Sequence, residues 1–262
     1  MAVVGAGRDC RISYLDLGQG SPLLLIHGGH GGWFHWIGNV EELARHRRVI
    51  APDLPGFGRS DRPAQPVSLA VFANELIGLL DRLQIDAIDI AAFSFGACVA
   101  AYMAAHFPDR VLSVGMVNPA GMGPASPHLQ AIQDRASAEA KRDGLEHGVR
   151  VTVREIMLSD PETATPELLG LFTHHVRAAR VETRPIARTY PTMDLLGRSS
   201  CSLWLLLGEN DPHQAHELEK RARDVGSLSA SHTVSTWLGA HWLQFEMASR
   251  FNEAALRFTG RR

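Results

Sequence analysis

The sequence is poor in the features that define several classes of protein. It holds three cysteines among 262 residues, Cys10, Cys98 and Cys201, which lie far apart and are odd in number. This pattern excludes a disulfide framework and offers no Cys-x-x-Cys metal site. Lysine and arginine (26) nearly balance aspartate and glutamate (28), so the net charge of −2 gives no electrostatic reason to expect a nucleic-acid partner.

Long hydrophobic runs are also missing. No apolar stretch reaches the length of a transmembrane helix, and the polar pair at 8–9 follows too few apolar residues for a signal peptide. We therefore expect a cytoplasmic protein that binds no membrane. The cationic run 46–48 (HRR) precedes an apolar strand, and we interpret it as a solvated edge. The sequence leaves the oligomeric state open, and a homodimer is compatible with it.

Short apolar runs alternate with longer amphipathic ones. This pattern predicts an α/β fold in which a mostly parallel sheet carries helices on both faces. Ser68 is the predicted N-cap of a helix that runs to residue 83. The predicted strands are 11–17, 22–26, 49–51, 87–93, 111–117, 202–207 and 232–237, and the other predicted helices are 36–44, 95–107 and 244–258.

Residues 121–192 differ in character from the rest. They lose the strand patterning, become helical and charged, and contain six prolines. A helical insertion between two parts of one core, 1–120 and 193–262, is the simplest interpretation. We call residues 121–192 the insertion and predict that it acts as a lid.

A serine stands where a buried strand runs directly into a helix, in residues 92–96 (AFSFG). Such a turn exposes the hydroxyl and demands small residues two positions before and after it. Ala92, in place of the usual glycine, and Gly96 meet that demand. Ser94 is therefore the predicted nucleophile. The alternative is a serine that only caps the helix.

A serine nucleophile needs a base, and the base needs an orienting acid that precedes it in the chain. The loop 208–212 (GENDP) follows the strand 202–207 and offers Asp211, with Glu209 as its local rival. The preceding strand ends at Asn118, which is not a carboxylate. His241, after the last strand, is the predicted base.

The developing oxyanion of an acyl-transfer reaction needs two backbone N–H donors. Phe95 provides one at the start of the helix, directly after the nucleophile. The glycine-rich loop after the strand 22–26 provides the other. We assign it to Gly29, and the neighbouring Gly28 is the alternative.

Two patterns that could indicate bound groups are discounted. His213 and His216 could form a metal pair, but no third ligand is spaced nearby, and we interpret them as surface histidines. Residues 3–7 (VVGAG) begin like a dinucleotide fingerprint, but Cys10 replaces its third glycine and a strand follows. Neither pattern therefore predicts a metal site or a nicotinamide or flavin cofactor.

Together these motifs resemble the α/β-hydrolase family over nearly the whole chain. The matching stretches are 25–29 (LIHGG), 53–60 (DLPGFGRS), 92–96 (AFSFG), 208–211 (GEND) and 240–241 (AH). The resemblance implies an eight-stranded sheet, a lid after the sixth strand, a small-molecule substrate and no cofactor.

A narrower resemblance is carried by residues 240–246 (AHWLQFE) and 118–123 (NPAGMG), which are similar to the meta-cleavage-product hydrolases. Those enzymes split a C–C bond in ring-fission products of aromatic degradation. They usually have Asn before the nucleophile, where this chain has Phe93, and a lid arginine that binds the substrate carboxylate, where this chain reads HHVR at 174–177.

The resemblance leaves several activities open: a C–C hydrolase, a carboxylesterase or lactonase, and a cofactor-free haloperoxidase or acyltransferase. A non-catalytic binding protein on the same fold is the alternative from another class. The candidate substrate contacts are the arginines Arg177 and Arg180, the aromatic residues Trp33, Phe93 and Trp242, and Met157 and Phe172 of the insertion.

Overall fold

The computed structural model of the chain describes residues 3–6, 9–189, 191–214, 217–228 and 231–259. Within these ranges eight strands form one sheet in the order β1-β2-β4-β3-β5-β6-β7-β8. β2 is antiparallel to both of its neighbours, and every other pairing is parallel. The strands are β1 Val3–Ala6, β2 Arg11–Leu17, β3 Pro22–Ile26, β4 Arg48–Pro52, β5 Ile88–Phe93, β6 Val111–Val117, β7 Ser202–Gly208 and β8 His232–Trp237.

Helices cover both faces of the sheet, and a hydrophobic cluster lies on each side of it. In the described residues no helix has the length and apolarity needed to cross a membrane. The α-helices are α1 Val40–Ala44, α2 Leu69–Arg82, α3 Phe95–His106, α4 Pro127–Asp143, α5 Leu145–Thr152, α6 Pro166–Ala178, α7 Arg184–Ala187, α8 Pro191–Leu196, α9 Leu218–Gly226, α10 Leu243–Glu246 and α11 Ala248–Thr259.

The predicted α/β fold is confirmed, and the predicted strands 11–17, 22–26, 111–117 and 232–237 have the observed bounds. Ser68 caps α2, since its hydroxyl accepts the N–H of Val71 at 3.4 Å. The predicted helix 36–44 is instead a 3-10 turn, Trp33–Trp36, followed by the short α1. The predicted helix 244–258 is broken at Met247 into α10 and α11. Residues 3–6 form β1, the antiparallel edge strand.

The interpretation of run 46–48 as a solvated edge is wrong for Arg47, which is buried. Its Nη2 lies 2.6 Å from Oδ2 of Asp89, and the other oxygen of that carboxylate accepts the hydroxyl of Ser113 at 2.6 Å. Asp89 is the polar position of the otherwise apolar β5. A charge inside the sheet costs several kcal/mol unless it is paired, and Arg47 provides the partner.

Helices α4 to α8 occupy the chain between β6 and β7, where the insertion was predicted. Its two ends are bonded together, because the N–H of Gly121 donates to the carbonyl of Ala187 (2.9 Å) and that of Thr192 to the carbonyl of Gly121 (3.0 Å). Prolines begin α4, α6 and α8, where a missing N–H costs no helical hydrogen bond. In these helices, proline therefore sets the start of the helix and does not break it.

Asn118 joins the ends of three parallel strands. Its side-chain oxygen accepts the N–H of Gly208 at the end of β7 (2.7 Å), and its amide nitrogen donates to the carbonyls of Ala240 (3.0 Å) and His241 (2.9 Å) beyond β8. The residue is fully buried with a left-handed φ of 42°. Asparagine tolerates that conformation better than most residues and also supplies both a donor and an acceptor.

We expect Asn118→Ala to lower the free energy of unfolding by about 2–4 kcal/mol, because it leaves buried backbone groups without partners. Gln84→Ala is the matched control: Gln84 also has a left-handed φ, of 55°, but its side chain is exposed. Urea unfolding of both variants separates the backbone effect from the hydrogen bonds. Equal losses in the two variants would contradict the proposed clamp.

Candidate active site

Ser94 lies between β5 and α3 with φ 51° and ψ −118°, which non-glycine residues rarely adopt. The turn is held by backbone bonds, since the Ser94 N–H donates to Val117 and its carbonyl accepts the N–H of Ala120, both at 3.0 Å. A Cβ on Gly96 would lie 2.5 Å from the carbonyl oxygen of Ile26, so position 96 requires glycine. The Ser94 side chain makes no capping hydrogen bond to α3. A helix cap therefore does not account for this serine.

The three predicted triad residues lie in one hydrogen-bonded chain. Oγ of Ser94 is 3.0 Å from Nε2 of His241, and Nδ1 of His241 is 2.8 Å from Oδ2 of Asp211. The rival acid, Glu209, is exposed, whereas Asp211 and His241 are buried. With Nδ1–H donating to the carboxylate, Nε2 of His241 is free to accept the serine proton.

The backbone of His241 is fixed from two sides. Its carbonyl accepts the amide of Asn118, and its N–H donates to the carbonyl of Ile156 at 3.1 Å. The next N–H, of Trp242, donates to the carbonyl of Met157 at 2.9 Å. Ile156 and Met157 belong to a π-helical turn, Val153–Met157, within the insertion. The insertion is therefore bonded directly to the loop that carries the candidate base.

Asp211 is fully buried, yet the structure favours its ionised form. Burial raises the pKa of its carboxyl group, but the charge interactions and hydrogen bonds with His241 and His213 outweigh burial and hold that pKa well below its usual range. His213, interpreted from sequence as a surface histidine, lies in the loop after β7 and bonds to this carboxylate. That interpretation is wrong for His213, and His216 lies outside the described residues.

The loop after β3 is organised by His27. Its Nδ1 lies 2.6 Å from the carbonyl of Gly28, and its Nε2 accepts the N–H of Leu54 at 2.8 Å. Accepting at Nε2 requires a neutral ring, and burial lowers the pKa of His27 to about 4. The N–H of Gly28 donates to Nδ1 of His35 at 3.2 Å, which makes Gly28 unavailable as an oxyanion donor.

Gly29 and Phe95 face each other beside Ser94. A Cβ built on Gly29 would lie 3.8 Å from Cβ of Phe95 and 2.7 Å from Oγ1 of Thr183, so this position has no room for a side chain. Within the described residues the N–H of Gly29 has no hydrogen-bond partner. Phe95 begins α3, and the N–H groups of a first helical turn lack intrahelical partners. Gly29 and Phe95 therefore remain the candidates for the two oxyanion donors.

A cavity of about 410 Å³ opens onto Ser94 and His241. It lies between the core loops and the insertion, and most of its wall is apolar. Met157 and Phe172, the predicted contacts from the insertion, both line it. The other lining residues from the insertion include Leu129, Gln133, Ala136, Val149, Val153, Ile156, Val176 and Thr183.

The three predicted aromatic contacts do not line this cavity, although Phe93 and Trp242 contact residues that do. The ring of Phe93 packs 4.8 Å from that of His241, and the indole N–H of Trp242 donates to the carbonyl of His35 at 2.7 Å. Trp33 is half-buried in its 3-10 turn. Phe93 and Trp242 therefore contact His241 and His35 from outside the cavity.

The two predicted arginines also lie away from the cavity. Arg177 is exposed and pairs with Glu146 at 2.8 Å. Arg180 donates to the backbone carbonyls of Gly58 and Ser60. Neither guanidinium is therefore placed to meet a substrate carboxylate beside Ser94.

Other arginines line the cavity instead. Arg184, Arg188 and Arg221 line the cavity, and sequence reasoning named none of them. Arg184 and Arg221 have carboxylate partners, whereas Arg188 donates to the amide oxygen of Gln133. Among the described residues no carboxylate lies within ion-pairing distance of Arg188. A positive charge without a carboxylate partner thus faces a mostly apolar cavity.

Asp211, His213 and His241 also place three ligand-type atoms within 4.8 Å of one another. These atoms are already joined by hydrogen bonds of 2.8 and 2.9 Å through which the two Nδ1 groups donate to the carboxylate. The set therefore holds protons, and a metal would have to displace the hydrogen bond that orients His241.

Comparison with known proteins supports this picture. Residues 21–144 match the family model for the alpha/beta hydrolase fold. The chain is 29% identical over 272 residues to a 2-hydroxymuconate semialdehyde hydrolase of Pseudomonas sp. (strain CF600), covering 95% of this chain and 89% of that protein. It is 38% identical over 111 residues to a 2-hydroxy-6-oxo-2,4-heptadienoate hydrolase of Pseudomonas putida (strain F1), covering 41% of this chain and 40% of that protein.

Among solved structures, the enol-lactonase of Burkholderia xenovorans LB400 is similar with a TM-score of 0.82 at 18% identity, over 98% of this chain and 100% of that one. At that identity the likeness concerns the fold. The sheet order, the strained turn at Ser94 and these matches agree, and they show that the chain has the α/β-hydrolase fold.

Proposed function

We propose that the protein is a serine hydrolase in which Ser94 is the nucleophile, His241 the general base and Asp211 the orienting acid. The observation that carries this proposal is the unbroken hydrogen-bonded chain from Oγ of Ser94 to the buried carboxylate, at the edge of a substrate-sized cavity. A binding protein without catalysis would have no need of a charged Asp–His pair aimed at a strained serine.

The expected reaction has two steps. Oγ of Ser94 attacks the substrate carbonyl carbon while Nε2 of His241 takes the hydroxyl proton, and the N–H groups of Gly29 and Phe95 bind the oxyanion. His241 then gives its proton to the leaving group, which is a carbon in a C–C hydrolase and an oxygen in an esterase. Water, deprotonated by His241, releases the acyl group and restores Ser94.

We propose an acidic ring-fission product, a dienoate, as the substrate, and an ester or lactone as the second candidate. The charge of Arg188 favours the acid, because a cation in an apolar cavity is best neutralised by a bound anion. The hydrolases of 2-hydroxymuconate semialdehyde and of a heptadienoate, similar in sequence, are consistent with this class. The apolar wall would equally accept the acyl chain of an ester.

We also propose that the insertion, residues 121–192, is a lid that determines substrate choice between the two core parts 1–120 and 193–262. The insertion, with its loops, supplies most of the residues that line the cavity, whereas Ser94, Asp211 and His241 come from the core.

Ser94 is expected to be labelled by a fluorophosphonate, because the triad increases its nucleophilicity. Intact-mass measurement of wild type should show one adduct, and Ser94→Ala should show none. An adduct that persists in Ser94→Ala would mean that another group is the nucleophile.

Asp211→Asn is expected to lower kcat by about 10⁴-fold, because the amide favours the wrong tautomer of His241. Glu209→Gln is the matched control, an exposed carboxylate two residues away that should leave kcat unchanged. Hydrolysis of p-nitrophenyl acyl esters measures both, and circular dichroism checks the fold. If Glu209→Gln is the crippling change, the acid has been wrongly named.

Arg188→Gln is expected to raise KM for a dienoate ring-fission product by about ten- to a hundredfold, the value of one hydrogen bond to a charged group. KM for neutral p-nitrophenyl esters should change little. Arg177→Gln is the matched control, since it removes the same charge from the insertion but outside the cavity. Equal effects of Arg188→Gln on both substrates would favour the ester or lactone.

A further inference from the structure

The proposed triad uses only one oxygen of the Asp211 carboxylate. Oδ2 bonds to His241, and Oδ1 accepts two hydrogen bonds from His213, one from its backbone N–H and one from its Nδ1, both at 2.9 Å. Asp211 therefore stands between two imidazole rings, each with Nδ1 directed at a different oxygen.

The two imidazole rings also contact each other. The rings of His213 and His241 are stacked, with centroids 4.1 Å apart and an interplanar angle of 24°. His213 is partly buried and lines the cavity, as does His241. The ring nitrogen bonded to Oγ of Ser94 is Nε2 of His241, so His213 is not placed to act as a second base.

We propose that His213 is a positioning residue of the catalytic site, which fixes the second oxygen of Asp211 and the ring plane of His241 so that Nε2 stays aimed at Ser94. This inference rests on the proposed function. The His213 side chain fixes the carboxylate as the neutral tautomer that carries its proton on Nδ1, since Nδ1–H must donate to the carboxylate.

The charges around His213 make its neutral form important. The groups that act on its imidazole are Asp211 on its own loop, His241 beyond β8 and Arg221 on α9. Burial, His241 and Arg221 lower the pKa of His213, and Asp211 opposes them. When His241 becomes an imidazolium during the reaction, a neutral His213 at 4.1 Å adds no like charge.

His213→Ala and His213→Asn separate this role from a structural one. Alanine removes the side-chain donor, whereas the amide nitrogen of asparagine can occupy the place of Nδ1. The backbone N–H to Oδ1 remains in both. We expect alanine to lower kcat for a p-nitrophenyl ester about tenfold, near the lower limit for a hydrogen bond to a charged group. KM should be unchanged, and asparagine should restore most of kcat.

The pH profile gives a second readout. Without the side-chain donor on Oδ1, more negative charge remains on the Asp211 oxygen that faces His241, which favours the protonated form of that base. The acid limb of kcat/KM should therefore move to higher pH in His213→Ala and return toward the wild-type position in His213→Asn. A residue that only supports the fold would lower both variants alike without this shift.

The rate of Ser94 labelling by a fluorophosphonate distinguishes the possible failures. If wild type is not labelled at Ser94, the proposed function itself is wrong. If wild type is labelled and His213→Ala reacts at the same rate with the same acid limb, only the role of His213 is wrong. Equal losses in the alanine and asparagine variants would also overturn it. Slower labelling in alanine with recovery in asparagine supports the inference.

Discussion

The carboxylate of Asp211 carries a charge that is buried away from water. This buried charge is the constraint on which the rest of the site depends. An unpaired charge in that position would cost several kcal/mol, so both oxygens must be occupied by donors held in fixed places. His241 and His213 provide side-chain donors, and a backbone N–H provides a third. The same bonds that make burial tolerable orient the base toward Ser94, so the stability of the site and its proposed chemistry have one source.

Those donors come from separate loops, which have to be held together by something other than the triad. Asn118 does this from the end of β6, by bonding to the end of β7 and to the His241 loop. The insertion also holds the His241 loop, because the carbonyls of Ile156 and Met157 accept the N–H groups of His241 and Trp242. A lid hinged freely on the core would not be bonded in this way. Any movement of the π-helical turn would be felt at His241, which couples the proposed substrate-binding layer to the proposed base.

The parts of this structure that follow from short-range rules could be predicted from the sequence. The spacing and length of the apolar runs predict the strands, and the steric demands of the turn at Ser94 leave a short local signature in Ala92 and Gly96. Partners that meet only in the folded chain could not be predicted. Arg47 looked like part of a charged surface run because its partner, Asp89, is 42 residues away. His213 looked like a surface histidine because its contact with the ring of His241, 28 residues away, exists only in the folded chain.

The same reasoning explains why the sequence predicts a helical insertion between two strands but not which of its arginines line the cavity. Composition and proline content identify a helical segment, but the choice between Arg177 and Arg188 depends on where each helix lies over the core. α6 turns Arg177 toward Glu146 at the surface, while the chain after α7 brings Arg188 to Gln133 inside the cavity. The core sequence thus carries the signals for the proposed chemistry, and those for the substrate depend on the packing of the insertion. A C–C hydrolase and an esterase can share every core motif of this chain and differ in whether a cation of the insertion lines the cavity.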